Sequence, residues 1–562
     1  MYCGRLADNE LFYPHLSFFR LDAIDLKEYV LERTKSIDSE TYLRNKEIKI
    51  IGANYVLKKD NNVYLVKENG EEERIGSYEW WKRAKEFESK KVSKIYSEKK
   101  KSCDLNCGSL CGAHKNKTAL LNLVVTNRCN LSCPYCFFYA SKLNIVYEPS
   151  IEEIKNMTIS AKEINGFVPP VQLTGGEPTL RNDLDKIIKC IKSLNSPHIQ
   201  LNTNGVLPAI NFYYDAESTI KDLKKLKKSG LNTIYLSFDG TDVKTNIKNY
   251  YEFPLFLQAC RESGIESIVL VPTIHAGNLN ELCKIIKIAV KNFDIIRVIV
   301  FQPISFVGGA SKSDREKYRA TISDIIEELY PVGLDIKDFY PVSAIESFAD
   351  MVSSDKDHVT FYNNSLCGMA TYITYDQKND KIIPITHYID VDRLLKDLNL
   401  FNSLIGKFVF LFKYLSNPSL IDNIKKYVKI ERMPDGSSII EIIKNIREKG
   451  DYNSLGEFHK RVSFIGMMHF MDPYNYDVER VERCNIHYAS PDGRVIPFCA
   501  YNVFPEIYRD KILKKYALDK EAAERLIEEE KENRKKIIEF RKNEKVRENA
   551  EKKYKEWLGE VI

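Results

Sequence analysis

Residues 119–136 read ALLNLVVTNRCNLSCPYC. The first eight are mostly apolar and end on Thr126, the composition of a strand buried on both faces. The next ten carry Cys129, Cys133 and Cys136 in a Cys-x3-Cys-x2-Cys spacing, with Tyr135 just before the last cysteine. Outward from this stretch, five more runs share the strand's texture: PVQLTG (170–175), HIQLNTNG (198–205), TIYLSFDG (233–240), SIVLVPTI (267–274) and RVIVFQPIS (297–305). Between them, stretches such as IEEIKNMTISAKEI and DLDKIIKCIKSL place apolar residues at helical i, i+3, i+4 spacing. Strands alternating with helices predict an α/β fold, a partial (β/α)6 TIM-like barrel over 119–310, with a doubly wound sheet as the main rival. Thr126, Gly175, Asn204, Asp239, Thr273 and Gln302 fall near the strand ends, where such folds collect their chemistry.

The rest of the chain divides around this core. Residues 1–102 form a polar α+β region in which 55–76 reads as a hairpin about an Asp-Asn-Asn turn, followed by a Lys/Glu-rich helix over 83–101. Residues 103–118 are cysteine-rich, 311–510 form a C-terminal region that is less regular over 311–445 and returns to defined motifs over 446–509, and 511–562 carry a charged tail whose 519–557 read as a solvated helix. The segment 394–415 has an apolar helical stripe, read either as a buried helix or as a face toward lipid.

Composition narrows the function classes. The chain has 562 residues, 44% of them hydrophobic and 11% aromatic, which excludes global disorder. There is no apolar run long enough to span a bilayer and no basic-then-apolar leader at the start, so a cytoplasmic location is expected, with membrane contact at most peripheral. The net charge of +5, from 84 basic and 79 acidic residues, argues against a dedicated nucleic-acid binder. Thirteen cysteines in a chain with no export signal point to metal or redox chemistry rather than disulfides.

Three thiolates on one tight loop can hold three irons of a [4Fe–4S] cubane and leave the fourth iron open. Cysteine triplets also occur in zinc sites, but structural zinc wants a fourth ligand nearby. The triplet, set at the end of the first of six βα units, resembles the signature of the radical S-adenosylmethionine (SAM) enzymes. That resemblance implies that the open iron binds S-adenosyl-L-methionine and that its cleavage gives a 5′-deoxyadenosyl radical for C–H activation. It also implies cofactor roles for Gly175, Gly176 and Glu177 in LTGGEPTLR, for Asn202 or Asn204 in QLNTNG, and for Ser237 or Asp239 in SFDG. Glycines would allow close backbone approach, and Glu177 would accept from the cofactor's ammonium. Cys190, Cys260 and Cys283 lie on predicted helices and read as small buried side chains.

Further blocks, among them VLVPTIHAGN, VFQPISFVG, LCGMATYI, IPITHYIDVDRLL and CNIHYASPDGRVIPFCAYN, are similar to those of the archaeal tetraether lipid synthases. This resemblance implies radical C–C coupling of isoprenoid lipid tails, an electron donor such as ferredoxin or flavodoxin, and auxiliary iron–sulfur clusters. The alternative within the same family is radical methylation or other modification of a pterin or another small molecule. A non-catalytic, zinc-stapled binding protein is the reading from a different class. No Asp-x-His-x-x-Gly segment for cobalamin is present. Cys103, Cys107 and Cys111 form one candidate auxiliary set, with His114 as a candidate fourth ligand, and Cys367, Cys484 and Cys499 form another. Ser343, Asn363 and Ala119 stand where the family pattern has cysteine, so each set is either a cluster with a non-cysteine fourth site or a decayed one.

Overall fold

The computed structural model describes residues 28–93, 103, 105, 109–138, 145–307, 312–346, 359–401, 427 and 462–559. An antiparallel four-stranded sheet comes first: β1 (Tyr29–Ile37), β2 (Ile50–Leu57), β3 (Asn62–Lys67) and β4 (Glu72–Ser77). The predicted hairpin is the β2–β3 pair, with Asn61 taking a left-handed φ of 61° in the turn. The helix that follows spans Tyr78–Glu86, with Trp80, Trp81 and Ala84 buried; residues 87–93 of the predicted 83–101 helix are not helical, and 94–101 lie outside the described residues.

The barrel strands are β5 (Leu120–Thr126), β6 (Val171–Gly175), β7 (Ile199–Thr203), β8 (Thr233–Ser237), β9 (Ile268–Val271) with the short β10 (Thr273–Ile274), and β11 (Ile296–Pro303). The six predicted runs are neighbours in sequence order and pair in parallel. The C-terminal region adds β12 (Tyr340–Pro341), β13 (Gly368–Asp376), β14 (Lys381–Pro384), β15 (Ser463–Met468), β16 (Ile486–Ala489) and β17 (Val495–Pro497). Of these, β15 extends the parallel set beyond β11 and β16 extends it beyond β5.

Alternation along the strands separates two faces. Leu121, Leu123, Val125, Leu173, Leu201, Ile234, Leu236, Ile268, Leu270, Ile299 and Phe301 join the helices in one hydrophobic core. The opposite, lumen-facing set is polar. Asn122 Oδ1 accepts from Gln172 Nε2 at 2.8 Å, and Gln172 Oε1 accepts from Gln200 Nε2 at 2.5 Å. This ladder satisfies side chains that would otherwise be costly to bury. The first crossover helix is delimited locally: Ile151–Asn165 starts on a Ser150–Glu153 capping box and stops at Gly166, φ 86°.

The four-stranded sheet docks on the loop after β15. Tyr55 and Thr34 donate to the two oxygens of Asp477 at 2.5 and 2.9 Å, and Arg319 lies between Glu73 and Asp472, 2.6 Å from each. The apolar segment 394–415 enters as the end of helix Val391–Phe401, and the remainder lies outside the described residues. The charged tail is not a free solvated helix. It forms Lys520–Lys542 and Glu544–Leu558, and Ile537, Phe540, Tyr554 and Trp557 are buried against the barrel's helices. Among the described residues no helix is long and apolar enough to cross a membrane.

Candidate active site

Cys129, Cys133 and Cys136 sit on the loop that leaves β5, each partly buried. Asn127 holds the loop's start in place, accepting from the Tyr147 N–H at 2.7 Å and donating to the Ile145 carbonyl at 2.9 Å. Burial and the nearby Glu177 charge push the Cys129 thiol up, and burial pushes Cys133 up to about 11 against the opposing pull of Lys248. The thiols sense one another, each raising the cost of ionising the next. A bound cation relieves that cost, so the donor set fits an iron cluster.

Gly175 and Gly176 explain how the second strand end reaches this loop. Gly175 has φ 135°, and a Cβ there would lie 2.0 Å from the Thr126 carbonyl oxygen; a Cβ on Gly176 would lie 2.0 Å from that of Arg128. The close approach that the glycines permit is therefore to the cysteine loop's own backbone. It is sealed by Gly176 N–H to Thr126 O at 2.9 Å and Glu177 N–H to Arg128 O at 2.8 Å.

Glu177 is 1% exposed, and its carboxylate is filled by the protein itself. Oε1 accepts from Thr179 N–H at 3.1 Å, Thr179 Oγ1 at 2.7 Å and Thr203 Oγ1 at 2.6 Å, and Oε2 accepts from Asn204 N–H at 2.7 Å. Burial raises its pKa from the ordinary value while these donors pull the other way. Within the protein, the carboxylate expected to meet the cofactor's ammonium clamps two strand ends. Asn204 is likewise engaged, its Nδ2 donating to Asn130 Oδ1 at 2.8 Å and its Oδ1 accepting from Val206 N–H at 2.9 Å. Asn202 reaches only Thr174 Oγ1, at 3.3 Å, and stays half-buried on the lumen face, as does Ser237.

Asp239 is also saturated. It accepts from Tyr135 Oη at 2.7 Å, from Thr273 N–H at 2.8 Å and from Lys248 Nζ at 2.9 Å. Lys248 and Tyr135 are the neighbours that sequence reading left without a role. Burial works against the Lys248 ammonium, but Asp239 and the thiols of Cys133 and Cys136 outweigh it and raise its pKa. A lysine in a polar loop carries no signal of this, whereas Tyr135 is marked by its place before Cys136.

The profile of the radical SAM superfamily matches residues 123–289. The chain is 38% identical over 497 residues to the 7,8-dihydro-6-hydroxymethylpterin dimethyltransferase of Methanocaldococcus jannaschii, spanning 84% of this chain and 94% of that one. The chain belongs to the radical SAM superfamily. It is also 25% identical over 224 residues to a probable GTP 3′,8-cyclase of Thermoplasma volcanium, covering 39% of this chain and 64% of the other. Among solved structures, HydG, a maturase of the [FeFe]-hydrogenase, is similar over 45% of this chain and 60% of its own, at 14% identity and a TM-score of 0.30.

As a radical SAM enzyme, the chain is expected to use a [4Fe–4S] cluster and S-adenosyl-L-methionine at this site. Beyond it, Cys484 lies near Cys499 and Cys367, and the last two flank the buried Arg480. Burial opposes the guanidinium, and the thiols of Cys367 and Cys499 hold it charged. Burial and the neighbouring thiols also raise Cys484, and Cys499 is pushed up to about 12. Tyr476 Oη and Arg480 Nε, both beside these thiols, are buried without a hydrogen-bond partner in the protein, as are Ser343 Oγ and Asn363 Oδ1. Ser343 lies on a turn packed against the one that ends at Cys367. Such orphaned atoms fit a polar or metallic group among the thiols.

The upstream set is less complete. Cys103 and Cys111 line one small cavity with His114, Glu482 and Tyr508, and Cys107 lies outside the described residues. His114 does not aim Nε2 at a thiol; it lies 2.8 Å from the Cys484 carbonyl and 3.1 Å from His487 Nε2. Among the described residues no three His, Cys, Asp or Glu side chains close on a point as ligands of a single ion would. Thiolates that each take a different iron of a cubane need no such convergence. Cys260 is buried as expected, while Cys190 and Cys283 are only partly so.

Proposed function

We propose that this radical SAM enzyme activates a C–H bond of a small, polar heteroaromatic substrate of the pterin type, in a methylation or related modification. The observation that carries the reading is the polar lumen. Asn202, Tyr235, Ser237, Thr273 and Gln302 stand half-buried on the inner face of the barrel's upper half, above the Asn122–Gln172–Gln200 ladder. A saturated lipid tail laid against these groups would strip their water and offer no hydrogen bond in return. A bicyclic heteroaromatic offers donors and acceptors in its plane and a face for stacking. The relative in Methanocaldococcus jannaschii, named for a dihydropterin, supports the same substrate class over lipid coupling.

When bound, the cluster and S-adenosyl-L-methionine together supply a carbon-centred radical able to take hydrogen from an unactivated C–H bond. The chain's own residues do the rest. Cys129, Cys133 and Cys136 hold the cluster, and Glu177 fixes the β6 and β7 ends against the cysteine loop. The Tyr135–Asp239–Lys248 network presents a cation beside the thiolates, and Ser237 and Asn202 remain for the cofactor's hydroxyls. An external one-electron donor such as ferredoxin or flavodoxin, and an auxiliary cluster at Cys367, Cys484 and Cys499, belong to the same proposal.

The test is substrate-dependent turnover by anaerobically reconstituted protein with reductant and S-adenosyl-L-methionine. Adding 7,8-dihydro-6-hydroxymethylpterin should increase 5′-deoxyadenosine release, and mass spectrometry should show the pterin consumed. Cys133→Ser should form none. Stimulation by isoprenoid lipid and not by the pterin would overturn the substrate class, and normal cleavage by Cys133→Ser would overturn the site.

A further inference from the structure

The C-terminal helix Lys520–Lys542 is mostly exposed charge, yet one face of it lies against the active-site loop. Ile537 and Phe540 are buried in a cluster with Leu180, Val206, Leu207 and Ile210, and Leu131 of the cysteine loop packs on the same cluster. One turn upstream, Arg534 donates from Nη2 to the Cys129 carbonyl at 3.1 Å and is steadied by Glu530 at 2.7 Å. Glu529 faces the buried Arg128 guanidinium at 3.5 Å. At the far end, Arg541 binds the Glu252 carboxylate at 2.7 Å and the carbonyl of Lys248 at 2.5 Å. One helix therefore grips the backbone of the first cysteine and of the lysine that senses the other two thiols.

We propose that Arg534 is a positioning residue of the radical SAM site, and that the helix Lys520–Lys542 is a strap that fixes the cysteine loop from outside the barrel. The inference rests on the reading of Cys129, Cys133 and Cys136 as the cluster's ligands. A charge-assisted hydrogen bond to the Cys129 carbonyl limits rotation of its peptide plane, and with it the direction of the first thiolate. It also keeps a positive charge beside a cluster that gains an electron on reduction, which favours the reduced form. Two consequences follow from one contact: iron leaves the site more slowly, and the cluster reduces at a less negative potential.

The experiment uses the full chain, anaerobically reconstituted, as parent, Arg534→Ala, Arg534→Lys and Arg525→Ala, the last on an exposed position of the same helix. A variant with Cys129, Cys133 and Cys136 all changed to Ser gives the background from any other iron. Iron release to a ferrous chelator and an EPR-monitored redox titration are the readouts. Arg534→Ala should release the triplet's iron on the order of tenfold faster, the loss expected for a hydrogen bond to a charged group, and should need a more negative potential. Arg534→Lys, which keeps the charge and a donor, should recover both properties, and Arg525→Ala should match the parent. Parent-like release and potential in Arg534→Ala would overturn the proposal, as would equal acceleration in Arg525→Ala. Iron release from the triple variant equal to the parent's would instead overturn the ligand assignment on which it rests.

Discussion

The rings of Phe137 and Phe498 stack with centroids 5.4 Å apart and planes 28° from parallel. Phe137 follows Cys136 directly and Phe498 directly precedes Cys499, so one aromatic contact joins the catalytic loop to the second cysteine set. Phe470 completes the group, 4.2 Å from Phe498 and 5.7 Å from Phe137. Tyr488 stacks on Phe498 at 5.2 Å and senses the thiols of both Cys499 and Cys136. The two sets are thus parts of one packed unit, although 363 residues separate Cys136 from Cys499 (499 − 136).

A double-mutant cycle on this stack should show coupling. Phe137→Ala and Phe498→Ala each remove apolar contact, and together they should cost less than the sum by about 0.5–1.5 kcal/mol, the worth of an aromatic pair beyond its buried area. Urea unfolding of the four proteins measures it. Strict additivity would mean that the rings are merely adjacent.

Glu177 offers a sharper test, because its hydrogen bonds change what its removal should do. Glu177→Ala strands four donors, two of them backbone N–H groups and two of them (Thr203 Oγ1 and Asn204 N–H) fully buried, and should destabilise the fold by about 3–5 kcal/mol. Cofactor affinity should fall with it, and Glu177→Gln should be intermediate in both. Thermal unfolding and equilibrium binding of S-adenosyl-L-methionine provide the comparison. A large loss of binding at unchanged stability would show that the carboxylate acts on the ligand and not on the strand ends.

The six barrel strands were legible because each is a short apolar run closed by polar or glycine residues, and parallel burial on both faces leaves that pattern in any sequence. The strands β15 and β16 were not, since SFIGMM and IHYA are short, interrupted and far from the repeat they extend. The cysteine triplet was legible because its geometry is local. The clamp role of Glu177 was not, for Thr203 and Asn204 lie one βα unit away. The strap was hidden for a similar reason: two buried side chains, Ile537 and Phe540, hold a helix whose remaining surface is charge, and Arg534 meets a carbonyl 405 positions upstream.

Acid sensitivity should be traceable to single histidines. Burial, aided by Lys192, holds His198 down to about 4, below the ordinary 6.5. Above pH ~6.5 the ring is neutral in both folded and unfolded chains, so its contribution is fully kept. Between about 6.5 and 4 the unfolded chain takes up a proton that the folded one refuses, and up to about 3 kcal/mol of stability is lost. His198→Gln should lose less stability than the parent over that window, and the two curves should run parallel above it. Parallel curves throughout would mean that His198 is solvated in the folded chain.

Iron stoichiometry decides whether the second cysteine set is a cluster. Each cubane brings about four irons and four sulfides, so the triplet alone gives about four per chain and one auxiliary cluster raises that to about eight. The cysteine-rich segment at Cys103, Cys107 and Cys111 would bring it to about twelve. The auxiliary cluster proposed at Cys367, Cys484 and Cys499 requires at least eight. Changing Cys129, Cys133 and Cys136 together to Ser should therefore leave a brown protein that holds at least four irons and cleaves no S-adenosyl-L-methionine. Changing Cys367, Cys484 and Cys499 should do the reverse in part, removing about four irons while uncoupled cleavage persists. An iron-free triplet variant would mean that these cysteines are ordinary buried thiols, and Arg480 would then be a buried cation lacking the anionic partners that its surroundings otherwise provide.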